Sequence, residues 1–275
     1  MTDQTQTPNP APTEASPVPL VSMRNFDVAF GGVHAVRDVS IDLYAGEVVA
    51  LLGHNGAGKS TLVSILAGAT NRDRGTIEIA GEEVQIDSPR SARDAGIETI
   101  FQNLALADNL DAPANLFLGR ELRRFGIFRR KKEMDREAAG VLKRINPRFK
   151  NINDQVRNLS GGQRQSIAIA RAVYFNARVI IFDEPTAALG PAETKLFEEL
   201  VTRLKAEGVA ILIISHDIHE VFELADKLVV MTDGQVVGRL DTADATKQQV
   251  LSMIILGGSD DGDSDEARAL VESLL

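Results

Sequence analysis

Glu47-Val48-Val49-Ala50-Leu51-Leu52, followed at once by Gly53-His54-Asn55-Gly56-Ala57-Gly58-Lys59-Ser60-Thr61, is the stretch that decides the fold. The first six residues read as a strand buried on both faces. The next eight fit G-x-x-x-x-G-K-[ST], whose glycines let backbone N–H groups turn inward on phosphate groups. Ser60–Ala69 reads as a helix, whose N-terminus adds partial positive charge at the same place. Lys59 is then spaced to reach the β- and γ-phosphates of a nucleotide, and the Ser60 hydroxyl to ligate Mg²⁺. A chance glycine-rich turn is the alternative, and it leaves the strand and helix flanks unaccounted for.

Two further segments narrow the reading. Val179-Ile180-Ile181-Phe182-Asp183-Glu184 is an apolar strand ending in two acids. An Asp at such a strand end, beside a phosphate loop, is where a nucleotide-hydrolysing protein holds its metal, so Asp183 is the expected Mg²⁺ partner. Glu184, one residue on, is free to polarise an attacking water; the plainer reading is that Asp-Glu-Pro forms a turn. Leu159-Ser160-Gly161-Gly162-Gln163 opens a helix expected over Ser160–Tyr174, and its hydroxyl and bare amides make a second anion site. One γ-phosphate cannot sit in the phosphate loop and at a distant helix tip of the same monomer unless the intervening region folds over it. Two chains arranged head to tail remove the difficulty, because each loop's nucleotide meets the other chain's Ser160. An N-cap with a close-packing Gly pair is the structural alternative.

Composition sets outer limits. The chain has 275 residues, 44% hydrophobic and 25% charged, ordinary for a globular protein of one large or two small domains. It has no cysteine, which excludes disulfides, thiolate metal sites and cysteine nucleophiles. No apolar run reaches the ~18 residues of a membrane span. No secretory signal is expected from the N-terminal residues. The net charge of −9 argues against a nucleic-acid partner, though much of it is local to Asp260, Asp261, Asp263, Asp265 and Glu266.

Residues 1–20 hold five prolines and read as a disordered tail, and 257–266 as an acidic linker before a short helix over Ala267–Leu275. Between them, over 21–256, strand and helix patterns alternate. Half-buried antiparallel strands are expected at Arg24–Phe30 and Val36–Leu43. Buried strands are expected at Val179–Phe182 and Val209–Ile214, with the helix Ala192–Glu207 between them. Strands at Leu228–Met231 and Gln235–Arg239 and a helix near Lys247–Leu256 close the pattern. From about Leu104 to Phe175 helical runs dominate (Ala112–Gly119, Glu133–Ile145, Ser160–Tyr174), which suggests a helical insertion in an α/β sheet covered on both faces.

Gly53–Ser60, Gln102, the LSGGQ string at Leu159–Gln163, Ile180–Leu189 (IIFDEPTAAL) and Ser215-His216-Asp217 together resemble the ATP-binding cassette (ABC) ATPases, in that family's order, from about residue 22 to residue 240. The resemblance implies an α/β fold: a P-loop NTPase (RecA-like) core, an antiparallel β subdomain and an inserted helical signature subdomain. It also implies two ATP molecules sandwiched between two copies, with Mg²⁺. It assigns Phe30 to stack on adenine and Gln102 to sense Mg²⁺ and γ-phosphate. His216 is assigned to contact γ-phosphate and Glu184 to act as general base. Gly161, Gly162 and Gln163 join Ser160 in facing the other copy's nucleotide. On the residues alone, Phe30 also fits a strand-end core position, Gln102 a solvated loop amide, and His216 a helix-start cap. One position departs: Gly190 stands where the family usually has Asp, in the loop that couples the two sites.

Phe30–Val36, Phe101-Gln102-Asn103, Leu116–Glu121 and Pro185–Pro191 resemble the ribose/xylose/fructose class of bacterial carbohydrate importers. Many ATPases of that class are tandem fusions. No internal repeat is found here, so the unit is expected to pair with itself. The resemblance implies transmembrane permease subunits, an extracellular or periplasmic sugar-binding protein reached through them, and a peripheral place on the cytoplasmic side of the inner membrane. Residues 103–113 are expected to form the groove for the permease's coupling helix. The basic run Arg120, Arg123, Arg124, Arg129, Arg130, Lys131, Lys132 has two readings: a solvated charged face, or one set against lipid headgroups, where each charge contributes about 1 kcal/mol. An importer ATPase for another cargo, such as branched amino acids, is an alternative that shares the Phe-Gly-Gly strand. A soluble ABC ATPase acting on ribosomes or DNA usually brings two cassettes, a coiled-coil insert or a basic extension. A P-loop kinase would leave LSGGQ and His216 unexplained.

Overall fold

The computed structural model describes residues 18–187 and 189–257. The expected acidic linker beyond Gly257, the C-terminal helix and the tail as far as Pro17 lie outside the described residues. Leu20, placed at the end of that tail, instead leads directly into β1 and packs at the end of the antiparallel sheet. It is buried, and its N–H donates to the Leu43 carbonyl at 2.8 Å.

Strands β1 (Val21–Phe30) and β2 (Val33–Leu43) form a hairpin and are followed by β3 (Val48–Leu52), the phosphate loop and helix α1 (Lys59–Leu66). Then come β4 (Arg74–Ile79), β5 (Glu82–Glu83), α2 (Pro89–Asp94) and β6 (Ile97–Ile100). The next region holds α3 (Ala112–Leu116), a two-stranded hairpin β7 (Arg123–Arg124) and β8 (Phe128–Arg129), α4 (Lys131–Ile145) and α5 (Gly161–Tyr174). The chain continues through β9 (Val179–Asp183), α6 (Pro191–Ala206), β10 (Ala210–Ile214) and α7 (Ile218–Leu224). Strands β11 (Lys227–Thr232) and β12 (Gln235–Asp241) and helix α8 (Lys247–Leu256) complete it.

The central sheet has the order β12-β11-β3-β10-β9-β6, parallel except for the β11–β12 pair. A second, antiparallel sheet has the order β2-β1-β4-β5. The central strands are apolar throughout because each presents alternate residues to two separate cores. Val48, Ala50 and Leu52 of β3 face the core shared with α3–α6, whereas Val49 and Leu51 face the core shared with the antiparallel sheet and α1. Ile180 and Phe182 of β9 go with the first set, Val179 and Ile181 with the second.

The helical region is tied in by packing and by ion pairs, among them Arg144 of α4 with Glu207 after α6 at 3.2 Å. Helix α4 buries Met134, Ala138, Leu142 and Ile145, a single stripe at helical spacing. Phe117, Tyr174 and Phe175 meet edge to face beside it. The Arg120 guanidinium pairs with Glu98 of β6 at 3.1 Å and lies over the Phe175 ring at 4.5 Å. This joins the edge of the central sheet to the end of α5.

Several expected boundaries move. Helix α1 stops at Leu66, just before Gly68, which takes φ 68° and where a Cβ would lie 2.1 Å from the Ser88 carbonyl oxygen. The expected helix Ala112–Gly119 stops at Leu116. Strands β4, β5 and β6, helices α2 and α7 and the β7–β8 hairpin are additional elements.

Candidate functional site

Four loops meet at the C-terminal edge of the parallel strands, the edge where open α/β sheets bind ligands. Leu51 and Asp183 both pair in register with Ile214, so the ends of β3, β10 and β9 form one row. Ile100 of β6 pairs with Phe182 and brings Gln102 alongside. The residues after these strands enclose a cleft of about 560 Å³ that takes in Asn55–Thr61, Gln102, Asp183, Glu184 and His216.

The phosphate loop has its shape because two of its glycines cannot be replaced. Gly53 has φ 149°, and a Cβ there would lie 2.2 Å from the Met231 carbonyl oxygen. Gly58 caps α1 at φ 98°, where a Cβ would lie 2.4 Å from the Ala35 carbonyl oxygen. These contacts require glycine on grounds of space as well as dihedral angle. The Lys59 ammonium donates to the carbonyls of Gly53 (2.6 Å) and His54 (3.0 Å). Burial holds its pKa below the usual lysine value, against the opposing pull of Glu184 and Asp183. His54 turns Nδ1 to the Asn55 carbonyl at 2.8 Å, and neither His54 nor Gly53 lines the cleft.

The two acids after β9 differ. Asp183 has its carboxyl raised above the ordinary range, first by burial and then by the charge of Glu184, with Lys59 opposing. Glu184 adopts φ 51°, a left-handed conformation that non-glycine residues rarely take. Its N–H donates to the Ile214 carbonyl at 2.8 Å, and its Oε2 accepts from His216 Nδ1 at 2.6 Å. His216 does not cap the following helix. That role falls to Asp217, whose carboxylate accepts from the N–H groups of His219 and Glu220. Ser215 supports the turn, donating to the buried Glu220 at 2.7 Å and accepting from the Asp217 N–H.

The LSGGQ segment does not line this cleft. Ser160 caps α5 in a reciprocal pair with Gln163. Its hydroxyl donates to Glu193 of α6 at 3.3 Å. Glu193 also accepts from the Gly190 N–H, and a Cβ on Gly162 would lie 2.5 Å from its Oε1. Ser160, Gly162 and Gln163 line a separate cavity of about 370 Å³ with Glu193, while Gly161 lines a third, of about 310 Å³, that also touches Gln102, Asp183 and Glu184. Gln165 of α5 donates to the Pro185 carbonyl at 2.9 Å, linking this helix to the loop after Glu184. Phe30 ends β1, 54% exposed, and does not line the cleft.

Three residues that matter here were not singled out in the sequence. Ala35 lines the cleft and presses its carbonyl on Gly58. Glu193 is three residues after Gly190, a capping-box spacing that a search for helix starts would find. Glu220 stands three residues after the N-cap Asp217, the same spacing, but its carboxylate accepts from Ser215.

Ser60, Gln102 and Asp183 offer a hydroxyl, an amide oxygen and a carboxylate to one cleft. Among the described residues no group of three or more His, Cys, Asp or Glu could hold a metal ion. A set of hard oxygen donors with a single carboxylate suits Mg²⁺, which keeps several waters and takes its remaining ligands from phosphates.

Comparisons with known proteins agree with this geometry. The profile of the ABC transporter family matches residues 36–187. The ribose import ATP-binding protein RbsA of Yersinia pestis bv. Antiqua is 44% identical over 238 residues, covering 86% of this chain and 46% of that protein. The chain thus spans about half the length of such relatives. The xylose/arabinose import ATP-binding protein XylG of Sulfolobus acidocaldarius is 46% identical over 218 residues, covering 79% of this chain and 86% of the relative. A solved dimeric, post-hydrolysis state of the ATP-binding cassette MJ0796 with ADP and Pi superposes with a TM-score of 0.70 at 25% identity, covering 81% of this chain and 98% of that one. The matched residues take in the phosphate loop, the signature string and the acidic strand end, and a chain that carries all three on this fold belongs to the ABC transporter family.

Proposed function

We propose that this chain is the ATP-hydrolysing subunit of an ABC importer of small sugars and works as a pair of identical copies. One observation carries the reading. A phosphate loop, a strand-end Asp, a following Glu, a Gln and a His converge on one cleft, while the signature Ser160 lies outside it. A second copy, turned head to tail, would bring its Ser160, Gly161, Gly162 and Gln163 to that cleft. The sugar class rests on the ribose and xylose/arabinose relatives.

In this reading Asn55–Thr61 hold the triphosphate through backbone N–H groups and Lys59 moves from carbonyls to phosphate oxygens. Phe30, exposed at the end of β1, is the adenine platform. Ser60, Gln102 and Asp183 would hold Mg²⁺, which neutralises charge on the phosphates when bound. Glu184 accepts a proton from the attacking water as its oxygen bonds to the γ-phosphorus. The bond to the β–γ bridging oxygen breaks, leaving ADP and inorganic phosphate. His216 fixes the Glu184 rotamer through their hydrogen bond and presents its far nitrogen to the γ-phosphate. The loop around Gln102 passes the state of the cleft to the helical region, where permease subunits on the cytoplasmic face of the membrane would dock. A sugar-binding protein on the other side would supply the cargo. We take residues 21–256 as one ABC ATPase unit, with the helical insertion over about 104–175.

Glu184→Gln tests the assignment. The variant retains ATP with Mg²⁺, elutes as a dimer and turns over at least about 100-fold more slowly, the range expected for a lost general base. Hydrolysis at the wild-type rate overturns it. Loss of labelled pentose uptake in cells lacking the gene tests the cargo class.

A further inference from the structure

The β7–β8 hairpin carries a feature that nucleotide chemistry does not use. Its tip exposes three large apolar side chains within four residues: Phe125 at 80%, Ile127 at 75% and Phe128 at 67%. Such clusters are avoided on a water-facing surface unless something covers them. The ten residues 123–132 hold Arg123, Arg124, Arg129, Arg130, Lys131 and Lys132 and no acid, in a chain whose net charge is −9. Some of these cations are neutralised locally: Arg123 pairs with Glu121, Arg130 with Glu133, and Lys131 with Asp111 and Asp135. Arg124 and Lys132 make no ion pair among the described residues, and Arg129 acts on the Glu121 carboxylate without a close pair. The Arg124 guanidinium instead lies 5.0 Å over the Phe125 ring.

We infer that this hairpin is a membrane-contact element that sets its apolar tip into the headgroup region of a bilayer rich in anionic lipid. Three observations favour lipid as the occupant. Aromatic and aliphatic side chains ringed by arginine and lysine are what interfacial binding takes, with the rings among the acyl boundary and the cations at the phosphates. The Arg124–Phe125 pair holds a ring and a cation side by side, so both reach the interface together. The two strands are only two residues long and turn back at Gly126, which has φ 73°. They therefore form a narrow finger, suited to insertion and poorly suited to cover a protein groove. The element stands apart from the nucleotide cleft, so it can hold or fail independently of the ATPase reading.

The full-length chain is mixed with vesicles of phosphatidylcholine, alone or with about one-third phosphatidylglycerol, and sedimented. Retention on the anionic vesicles exceeds that on neutral ones by about tenfold and falls as salt is raised, as expected for paired apolar and basic contacts. Joint replacement Phe125→Ser, Ile127→Ser, Phe128→Ser removes the retention and leaves basal ATP hydrolysis and the circular dichroism spectrum unchanged, because all three side chains are exposed. Phe125→Trp places a tryptophan in a chain that has none, and its emission shifts to the blue on anionic vesicles only. Equal retention on both vesicle types overturns the inference, as does wild-type retention of the triple variant. Retention that appears only when permease is reconstituted assigns the finger to a protein partner and likewise overturns it.

Discussion

Glu220 shows how a residue outside the nucleotide cleft still bears on it. It is buried behind the His216 turn, and burial raises its carboxyl above the ordinary value of 4.5, with the hydroxyls of Ser215 and Thr186 opposing. The folded chain therefore keeps this proton to a higher pH than the unfolded chain. Between the two values the native state binds more protons, so stability falls as pH rises through that window and levels off above it. In Glu220→Gln this contribution is gone, and the melting temperature plotted against pH is flatter just above 4.5 than in the wild type. An unchanged slope would show that Glu220 titrates as it does in the unfolded chain. Glu184 differs in kind: its left-handed backbone is held by the Ile214 carbonyl and its carboxylate by His216. The local strings made the phosphate loop and both acids legible. Nothing in the sequence near Ser160 points to Glu193, 33 positions away, because that contact exists only once α5 and α6 pack.

At the scale of elements, long apolar runs were the easiest to read and short ones the hardest. Val48–Leu52, Val179–Asp183 and Ala210–Ile214 stood out because both faces of the central sheet are covered. Ile97–Ile100 did not, since four residues with a Glu and a Thr carry little periodicity. Yet that strand anchors the helical region through Glu98 and Arg120. Arg120→Ala would remove the guanidinium paired with the buried Glu98 carboxylate, leaving the charge of Arg171 nearby, and strip the face of Phe175. We expect a loss of about 2 kcal/mol, read as a lower urea midpoint at constant slope. Adding Glu98→Gln should recover part of it, and a double variant no more stable than the single one would mean that packing on Phe175 dominates. The hairpin escaped notice as a strand pair because its sequence reads as a charge run, although its exposed rings are what set it apart.

At the scale of the whole molecule, the signature serine and the phosphate loop occupy separate cavities of one chain. The head-to-tail pair predicts complementation. A chain with Lys59→Ala and a chain with Ser160→Ala are each inactive alone. In a mixed pair one site carries both defects and the other carries none, so mixing restores ATP hydrolysis at one site per pair. Failure to restore it, with both variants folded, would argue that each chain completes its own site. The separation of these half-sites has a kinetic consequence. If the proposed pair is the competent form, turnover free in dilute solution rises as the square of the chain concentration, since two molecules must meet for each assembly. A scaffold that tethers two copies side by side replaces that encounter with a fixed effective concentration, and the rate per molecule then no longer depends on how much protein is present.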